Sequence, residues 1–219
     1  FDRLGGGDLR IQAILIAFCF GGLLEALAGF GAPVAITATM ILALGVKPLK
    51  AAITVLLANT APVAFGAVAV PITTAADVGG KDAHVIATIV GHQAPFLAML
   101  VPLILLVILD GMKGLKDAWL PALIIGVSFA ITQWVTAATP AFNLTDVVAC
   151  IVSMGVAVIF LQFWKPRGVE GVRERYGLPA QAEEKEALPA VRVWMALLPY
   201  VIVVAIFGVA NLHAGLKAW

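Results

Sequence analysis

The sequence predicts an all-α membrane protein, a polytopic helical bundle in which one segment forms a re-entrant or tight helical hairpin and one transmembrane helix is broken. Three observations lead to this prediction. The composition is 62% hydrophobic and only 12% charged, whereas soluble domains carry about 25% charged residues. Most apolar runs reach about 20 residues, the length that crosses a bilayer. Two of the runs are interrupted by glycine or proline.

The first apolar run, from Ile11 to Leu44, is too long for one straight span. Its 34 residues would make a helix of about 50 Å, whereas the hydrocarbon layer is roughly 30 Å thick. The turning point is the sequence AGFGAP at 28–33, because glycine loosens a helix and proline suits a first helical turn. We predict two arms, 11–27 and 33–44, that enter and leave on one side. Two tilted full spans are the alternative.

Five further apolar runs predict conventional transmembrane helices, and they cover 51–70, 85–109, 118–138, 147–164 and 191–210. The last run opens a segment, 191–219, that we expect to continue into further sequence. The stretch 165–190 reads as a solvated loop with room for a short helix. Because the chain opens at Phe1 without an initiator methionine, we expect it to be part of a longer protein.

The positive charges predict the orientation of these segments, since Lys and Arg in short loops mark the cytoplasmic side. With the hairpin, one side carries 12 of the 14 basic residues and includes the loop 165–190, which is therefore predicted to be cytoplasmic. Reading 11–44 as one span weakens the split to 10 against 4. The 12 are Arg3, Arg10, Lys47, Lys50, Lys113, Lys116, Lys165, Arg167, Arg173, Arg175, Lys185 and Arg192, and the other two are Lys81 and Lys217.

The composition also excludes several classes of function. A net charge of +1 gives no reason to expect nucleic acid as a partner. Cys19 and Cys150 lie in separate apolar runs with no metal-ligand spacing, so we predict packing roles for them, no metal site and no cofactor. The sequence has no HExxH zinc motif, no phosphate-binding loop and no paired intramembrane carboxylates. We therefore predict that the protein is not an enzyme.

Glu25 is the carboxylate that lies well inside an apolar run, four residues before the first glycine of the turn. An ionisable group in the membrane costs at least about 2.5 kcal/mol and usually faces a cavity or a partner. Burial makes such a carboxyl group able to take up and release a proton. We predict that Glu25 is a proton-coupling residue. A structural carboxyl group bonded to the turn is the alternative.

The second interruption is the sequence LANTAP at 57–62, in the middle of an apolar run. Pro62 frees backbone carbonyl groups that must be satisfied inside the membrane. Asn59 and Thr60 supply polar side chains there, and a half-helix starting near Pro62 would point its positive end into the same region. This arrangement indicates an anion site. A proline kink stabilised by Asn and Thr is the alternative.

Two interrupted segments with helix N-termini near mid-membrane are typical of a secondary transporter's binding site. Apart from Arg192, the second residue of the run 191–210, no Lys or Arg lies inside a predicted span, so backbone dipoles and uncharged side chains would hold the substrate, which suits a small monoanion. His92 and Gln93, in the third segment, could add a substrate hydrogen bond or a proton relay, although interhelical bonding is the commoner role. The predicted substrate-binding residues are Gly29, Gly31, Ala32, Pro33, Asn59, Thr60, Pro62, His92 and Gln93.

The stretch FGGLLEALAGFGAPVAI at 20–36 resembles the hallmark sequence of the bacterial L-lactate permease family. Further matches in the family's order are NTAPVAFG at 59–66, PITT at 71–74, VGHQ at 90–93, DG at 110–111 and FWKP at 163–166. The resemblance covers nearly the whole chain. It implies proton-coupled uptake of L-lactate, D-lactate and glycolate by a multi-pass protein of the bacterial plasma membrane that is considerably longer than this chain.

The leading hypothesis is therefore lactate/proton symport, with the lipid bilayer, a small monocarboxylate anion and protons as the partners. A sodium-coupled carboxylate carrier or a cation/proton antiporter is an alternative within transport. A membrane subunit of a larger complex is an alternative of another class. The sequence leaves the preferred hydroxy acid, the stoichiometry and the oligomeric state open.

Overall fold

A computed structural model describes residues 7–29, 31–164 and 166–177, together with Leu198 and Ile202. These residues form helices joined by short turns, and none of them lies in a strand. The predicted all-α fold is confirmed. The helices are α1 (Leu9–Ala28), α2 (Ala32–Ala43), α3 (Pro48–Ala58), α4 (Gly66–Gly79), α5 (Ala83–Ala137), α6 (Thr145–Phe163) and α7 (Val169–Arg175).

Helix α1 is the central helix of the described bundle. Every residue from Leu9 to Leu27 is buried, as expected for a helix that is apolar on all faces. Its middle, Leu15–Phe20, is a π-helix, a rare form that often occurs near functional sites. Phe18 packs edge-on against Phe129 of α5, with ring centroids 5.0 Å apart.

The turn between α1 and α2 lies at the predicted position. Gly29 and Gly31 have φ values of +74° and +115°, which side chains other than glycine rarely adopt. Helix α2 then begins at Ala32 with a proline in its first turn, where the missing amide hydrogen costs nothing. The chain therefore reverses through two glycines, and α2 returns along α1.

Helices α3 and α4 form one interrupted segment. They are bent by 58° at the break that contains Asn59 and Pro62. A short 3-10 turn, Val63–Phe65, follows the break before α4 begins. The predicted broken helix is thus present in the structure.

Helix α5 is a helical hairpin rather than a straight rod. Gly111 (φ +66°) and Ala118 (φ −133°) leave the helical conformation and divide it into two arms, 83–110 and 119–137. The arms pack against each other in opposite directions: Gly91 of the first arm faces Ala137, and Gly126 of the second faces Met99. Glycine at both contacts lets the two backbones approach closely.

A buried ionic cluster joins the start of α1 to α5 and α7. The Arg10 side chain is fully buried and donates to Asp8, at 2.7 Å, and to Asp110, at 3.1 Å. Arg10 also forms an ion pair with Asp117, at 3.4 Å, and donates a hydrogen bond to the Arg167 carbonyl. The Arg10 side chain thus bonds to oxygen atoms of four residues from three separate parts of the chain.

Helix α7 is held to the same end of the bundle. Arg175 donates to both carboxylate oxygens of Asp110, at 2.9 and 2.6 Å. The Tyr176 hydroxyl donates to the Leu109 carbonyl, which also accepts from Lys50 at 3.1 Å. The segment 166–177 is therefore packed on the bundle. Its assignment to the cytoplasm stays a prediction.

Within the described part of the chain, three helices are long and apolar enough to cross a membrane, or four if α3 and α4 form one bent span. Large apolar side chains such as Phe96, Leu97 and Phe163 face outward, as on a membrane protein. The predicted segment 191–219 lies outside the described residues, apart from Leu198 and Ile202. The predicted span limits and their orientation stay predictions.

Candidate functional site

The polar residues of the interior meet where α1 passes the α3–α4 break and the start of α6. Glu25 of α1 is 3% exposed, Asn59 at the break is 4% exposed, and Gln133 and Asp146 are fully buried. Polar groups in such surroundings are costly unless they are bonded. Several atoms of this cluster lack a hydrogen-bond partner.

Glu25 lies against the backbone of the broken segment. A Cβ atom placed on Gly66 would be 3.1 Å from Glu25 Oε1, so the missing side chain lets the carboxyl group approach the start of α4 closely. The other oxygen, Oε2, is buried without a hydrogen-bond partner. One oxygen of the predicted coupling residue is therefore free to take a proton or a ligand.

Asn59 ends α3 beside this carboxyl group. Its amide lies close enough to Glu25 for an electrostatic interaction, yet its Nδ2 atom makes no hydrogen bond of ordinary geometry with a described residue. A buried donor without an acceptor is uncommon. It is the kind of group that a carboxylate substrate would satisfy.

Pro62 belongs to the same region, whereas the Thr60 side chain faces away from it. Pro62 is buried and lies against Gly22, where a Cβ atom would be 3.7 Å from the proline ring. The Thr60 hydroxyl is exposed and donates to the Leu57 carbonyl at 2.6 Å, a common local bond for threonine in a helix. Of the residues predicted at this break, Asn59 and Pro62 thus face the interior.

Of the residues predicted to bind substrate at the turn between α1 and α2, Gly29 lies against the broken segment. Gly29 is buried and faces the start of α4, since a Cβ atom on it would lie 3.2 Å from the Ala67 side chain. Gly31 is exposed, with nothing within 4 Å of an added Cβ atom. Pro33 is buried, and its carbonyl accepts a 2.7 Å hydrogen bond from Thr37. The Ala32 backbone begins α2. Gly29 is therefore the point at which the turn between α1 and α2 contacts the broken segment formed by α3 and α4.

The start of α4 has a left-handed backbone. Ala67, Val68 and Ala69 have φ values of +47°, +58° and +62°, a region that costs roughly 1–2 kcal/mol per residue for side chains other than glycine. Regular right-handed helix therefore starts only after Ala69, and not near Pro62 as the sequence suggests. Strained backbone of this kind concentrates at binding sites.

Asp146 and Gln133 are the members of the cluster that the sequence analysis did not single out. Gln133 Nε2 donates to Asp146 Oδ1 at 2.8 Å. Asp146 also interacts with the backbone N–H of Phe65 and, electrostatically, with Glu25. Its Oδ2 and Gln133 Oε1 have no hydrogen-bond partner. Asp146 immediately precedes the predicted span 147–164, where a carboxylate at a helix N-terminus usually faces water, so its position in the sequence does not indicate its burial.

His92 and Gln93 are not brought to this cluster. Both are exposed on the outside of the first arm of α5. The His92 ring lies 2.6 Å from the Thr88 carbonyl and packs edge-on against Trp134, with centroids 6.0 Å apart. His92 lines an apolar surface cavity of about 360 Å³ together with Pro95 and Phe96. The part of His92 and Gln93 in binding stays a prediction.

The cluster is polar but contains no fixed positive charge. Arg10 and Arg175 form their ion pairs in the separate cluster around Asp110. No group of three or more His, Cys, Asp and Glu residues in the described ranges is arranged to hold a metal ion. The arrangement can exchange protons and donate hydrogen bonds to a small anion.

Comparison with known proteins gives a consistent result. The family described as L-lactate permease matches residues 6–217. Glycolate permease GlcA of Escherichia coli K12 is 49% identical over 163 residues, which are 74% of this chain and 29% of that protein. L-lactate permease of Bacillus subtilis is 39% identical over 218 residues, 95% of this chain and 39% of that protein.

A third relative, L-lactate permease of Escherichia coli K12, is 44% identical over 159 residues, 73% of this chain and 29% of that protein. The chain thus spans between 29% and 39% of the length of these relatives. No solved structure matches it.

Proposed function

Because the chain belongs to the L-lactate permease family, we propose that the full-length protein carries L-lactate, and also D-lactate and glycolate, across the bacterial plasma membrane by proton symport. It is a transport protein and not an enzyme. The observation that carries the proposal is Glu25, a carboxyl group buried beside an interrupted helix, with one oxygen unpartnered. The loop 165–190 lies on the cytoplasmic side in this proposal.

The polar interior suits a small carboxylate anion. Asn59 Nδ2 is an unpartnered buried donor at the break, where the dipole of the side-chain amide can meet an anion. A single negative charge is held by such dipoles without a lysine or arginine. A second carboxylate on the substrate would lack compensation, which favours monocarboxylates.

Proton coupling follows from the same geometry. An anion that enters beside an ionised Glu25 places two negative charges in a region of low dielectric constant, where their repulsion is strong. Protonation of Glu25 removes that repulsion. The loaded site then holds the substrate anion and one additional proton. Because their charges cancel, transport of the anion together with the proton moves no net charge across the membrane.

The test is uptake of radiolabelled L-lactate by the full-length protein in proteoliposomes with an imposed proton gradient. We expect accumulation that a protonophore abolishes. Glu25→Gln keeps the shape of the side chain but removes the exchangeable proton, so it should lose accumulation against a gradient. Asp77→Asn, the same chemical change at an exposed position of α4, is the matched control.

Three outcomes would contradict the proposal. Concentrative uptake that is unchanged in Glu25→Gln would exclude Glu25 as the coupling group. Accumulation driven by an imposed sodium gradient, and not by a proton gradient, would replace proton symport with sodium coupling. Absence of lactate uptake by folded protein would exclude lactate as the substrate.

A further inference from the structure

We propose that Asp146 is a second coupling carboxyl group, which binds and releases the transported proton together with Glu25 as one unit. This inference rests on the proposed function and deepens it. It assigns a proton-binding role to a residue outside the family-like motifs, at the start of α6.

The two oxygens of the Asp146 carboxyl group differ in their bonding. Oδ1 accepts a 2.8 Å hydrogen bond from Gln133, and the Phe65 N–H also faces the group. Oδ2 is buried without a partner, although a fully buried carboxylate needs several donors to stay ionised. The side chain is therefore oriented by one oxygen and has the other available for a proton.

Glu25 and Asp146 meet at the start of α4. Glu25 reaches Gly66 from α1, since a Cβ atom there would be 3.1 Å from its Oε1, and Asp146 reaches the adjacent Phe65 N–H from α6 and interacts electrostatically with Glu25. The other titratable groups nearby are the thiols of Cys19 and Cys150, while Asn59 and Gln133 contribute uncharged amides. In the part of the chain that the structure describes, no lysine or arginine forms an ion pair with either carboxyl group.

Two ionised carboxylates in these surroundings would be strongly unfavourable, since each is removed from water and each repels the other. The pair therefore retains one proton when the site is empty. Arrival of the substrate anion adds a negative charge and favours binding of one further proton to the remaining carboxylate oxygen. Departure of the anion on the other side releases that proton. No bond other than the O–H bond forms or breaks.

Asp146 could instead be a structural residue that only fixes Gln133 and the break. The two roles differ in one measurable property. A structural residue affects lactate exchange and gradient-driven accumulation in parallel, and leaves the pH dependence of exchange as it was. A coupling residue changes that pH dependence, because groups that titrate as a pair lose their shared behaviour when either is neutralised.

The experiment uses the full-length protein in proteoliposomes with radiolabelled L-lactate. For one proton per anion, a pH difference of about one unit supports about tenfold accumulation at equilibrium, because about 1.4 kcal/mol corresponds to a factor of ten. We expect Asp146→Asn to lose this accumulation and its remaining exchange to become independent of pH. Asp146→Glu, which restores a carboxyl group, should recover pH-dependent exchange with a shifted midpoint.

The double variant Glu25→Gln with Asp146→Asn provides a further check. If the pair acts as one unit, the double variant accumulates no less lactate than the poorer single variant, because effects of residues that act together do not add. Independent losses that multiply would overturn the inference. Asp77→Asn again serves as the control for the chemical change itself.

The outcomes separate this inference from the proposed function. If the wild-type protein shows no proton-driven lactate accumulation, the proposed function fails. If the wild type accumulates lactate and Asp146→Asn does so equally, only the inference is overturned. If Asp146→Asn does not fold, Asp146→Glu decides: an unchanged pH profile overturns the inference, and a shifted profile supports it.

Discussion

Replacing Gly126 by alanine is expected to separate the two arms of α5. A Cβ atom at this position would lie 2.3 Å from the Met99 carbonyl oxygen and 3.0 Å from its carbonyl carbon. Favourable contacts begin at roughly 3.5 Å, so the arms must move apart by about 1 Å. Because the obstacle is backbone, no change of side-chain rotamer relieves it. Overpacking of this kind costs about 1–3 kcal/mol.

The assay is thermal unfolding of the full-length protein in detergent, with Gly155→Ala as the matched control. Gly155 is a helical glycine of α6, and an added Cβ atom there meets nothing within 4 Å. Alanine in a helix is favoured over glycine by roughly 0.5–1 kcal/mol. We therefore expect Gly126→Ala to lower the melting temperature and Gly155→Ala to leave it unchanged or raise it.

The same change should reach the polar cluster. Gln133 lies seven residues after Gly126, on the same face of the second arm, and it donates to Asp146 at 2.8 Å. A shift of about 1 Å is enough to break a hydrogen bond of that length, so lactate uptake should fall as well. A Gly126→Ala protein as stable as the wild type would refute the packing argument.

Two further predictions concern the ionic end of the bundle. Arg10→Met should destabilise the protein by about 3–5 kcal/mol, because it leaves the buried Asp8 without its cation. The test is thermal unfolding, with Arg10→Lys as the comparison. Equal stability of Arg10→Met and the wild type would contradict this prediction. Burial and the nearby Asp110 carboxylate raise the pKa of Tyr176. The contribution of the protonated Tyr176 to stability is therefore complete below the ordinary tyrosine pKa of about 10. It is lost only as the pH rises through the higher pKa of the folded protein. Phenolate absorbance of the wild type minus that of Tyr176→Phe measures this titration, and a midpoint at the ordinary pKa would disagree.

The interruptions of the helices were predictable from the sequence, because their causes are local. Gly29 and Gly31 allow backbone angles that reverse the chain. Pro62 lacks a backbone N–H, so it removes a helical hydrogen bond whatever the tertiary packing around it. The buried carboxyl group Glu25 was predictable for a similar reason. Its position inside an apolar run requires an interior place in any packing.

The second carboxyl group was not predictable in the same way. Asp146 stands at the edge of an apolar run, where a carboxylate at a helix N-terminus usually faces water. Only the tertiary packing of α6 against α1 brings it to Glu25. The outward position of His92 is a similar case, since a histidine within an apolar run gives no indication of which helix face meets a neighbour. Sequence periodicity was too weak to settle either question.

The burial of Arg10 has a consequence for the order in which the protein assembles during its synthesis. Asp110, one of its partners, lies 100 residues later in the chain, and ribosomes add about 5–20 residues per second, so about 5–20 s separate the two. Until then Asp8 alone faces the guanidinium group, and water must supply the remaining bonds. Helix α1 is therefore made before α5 but settles into its central place only after both arms of α5 have been inserted.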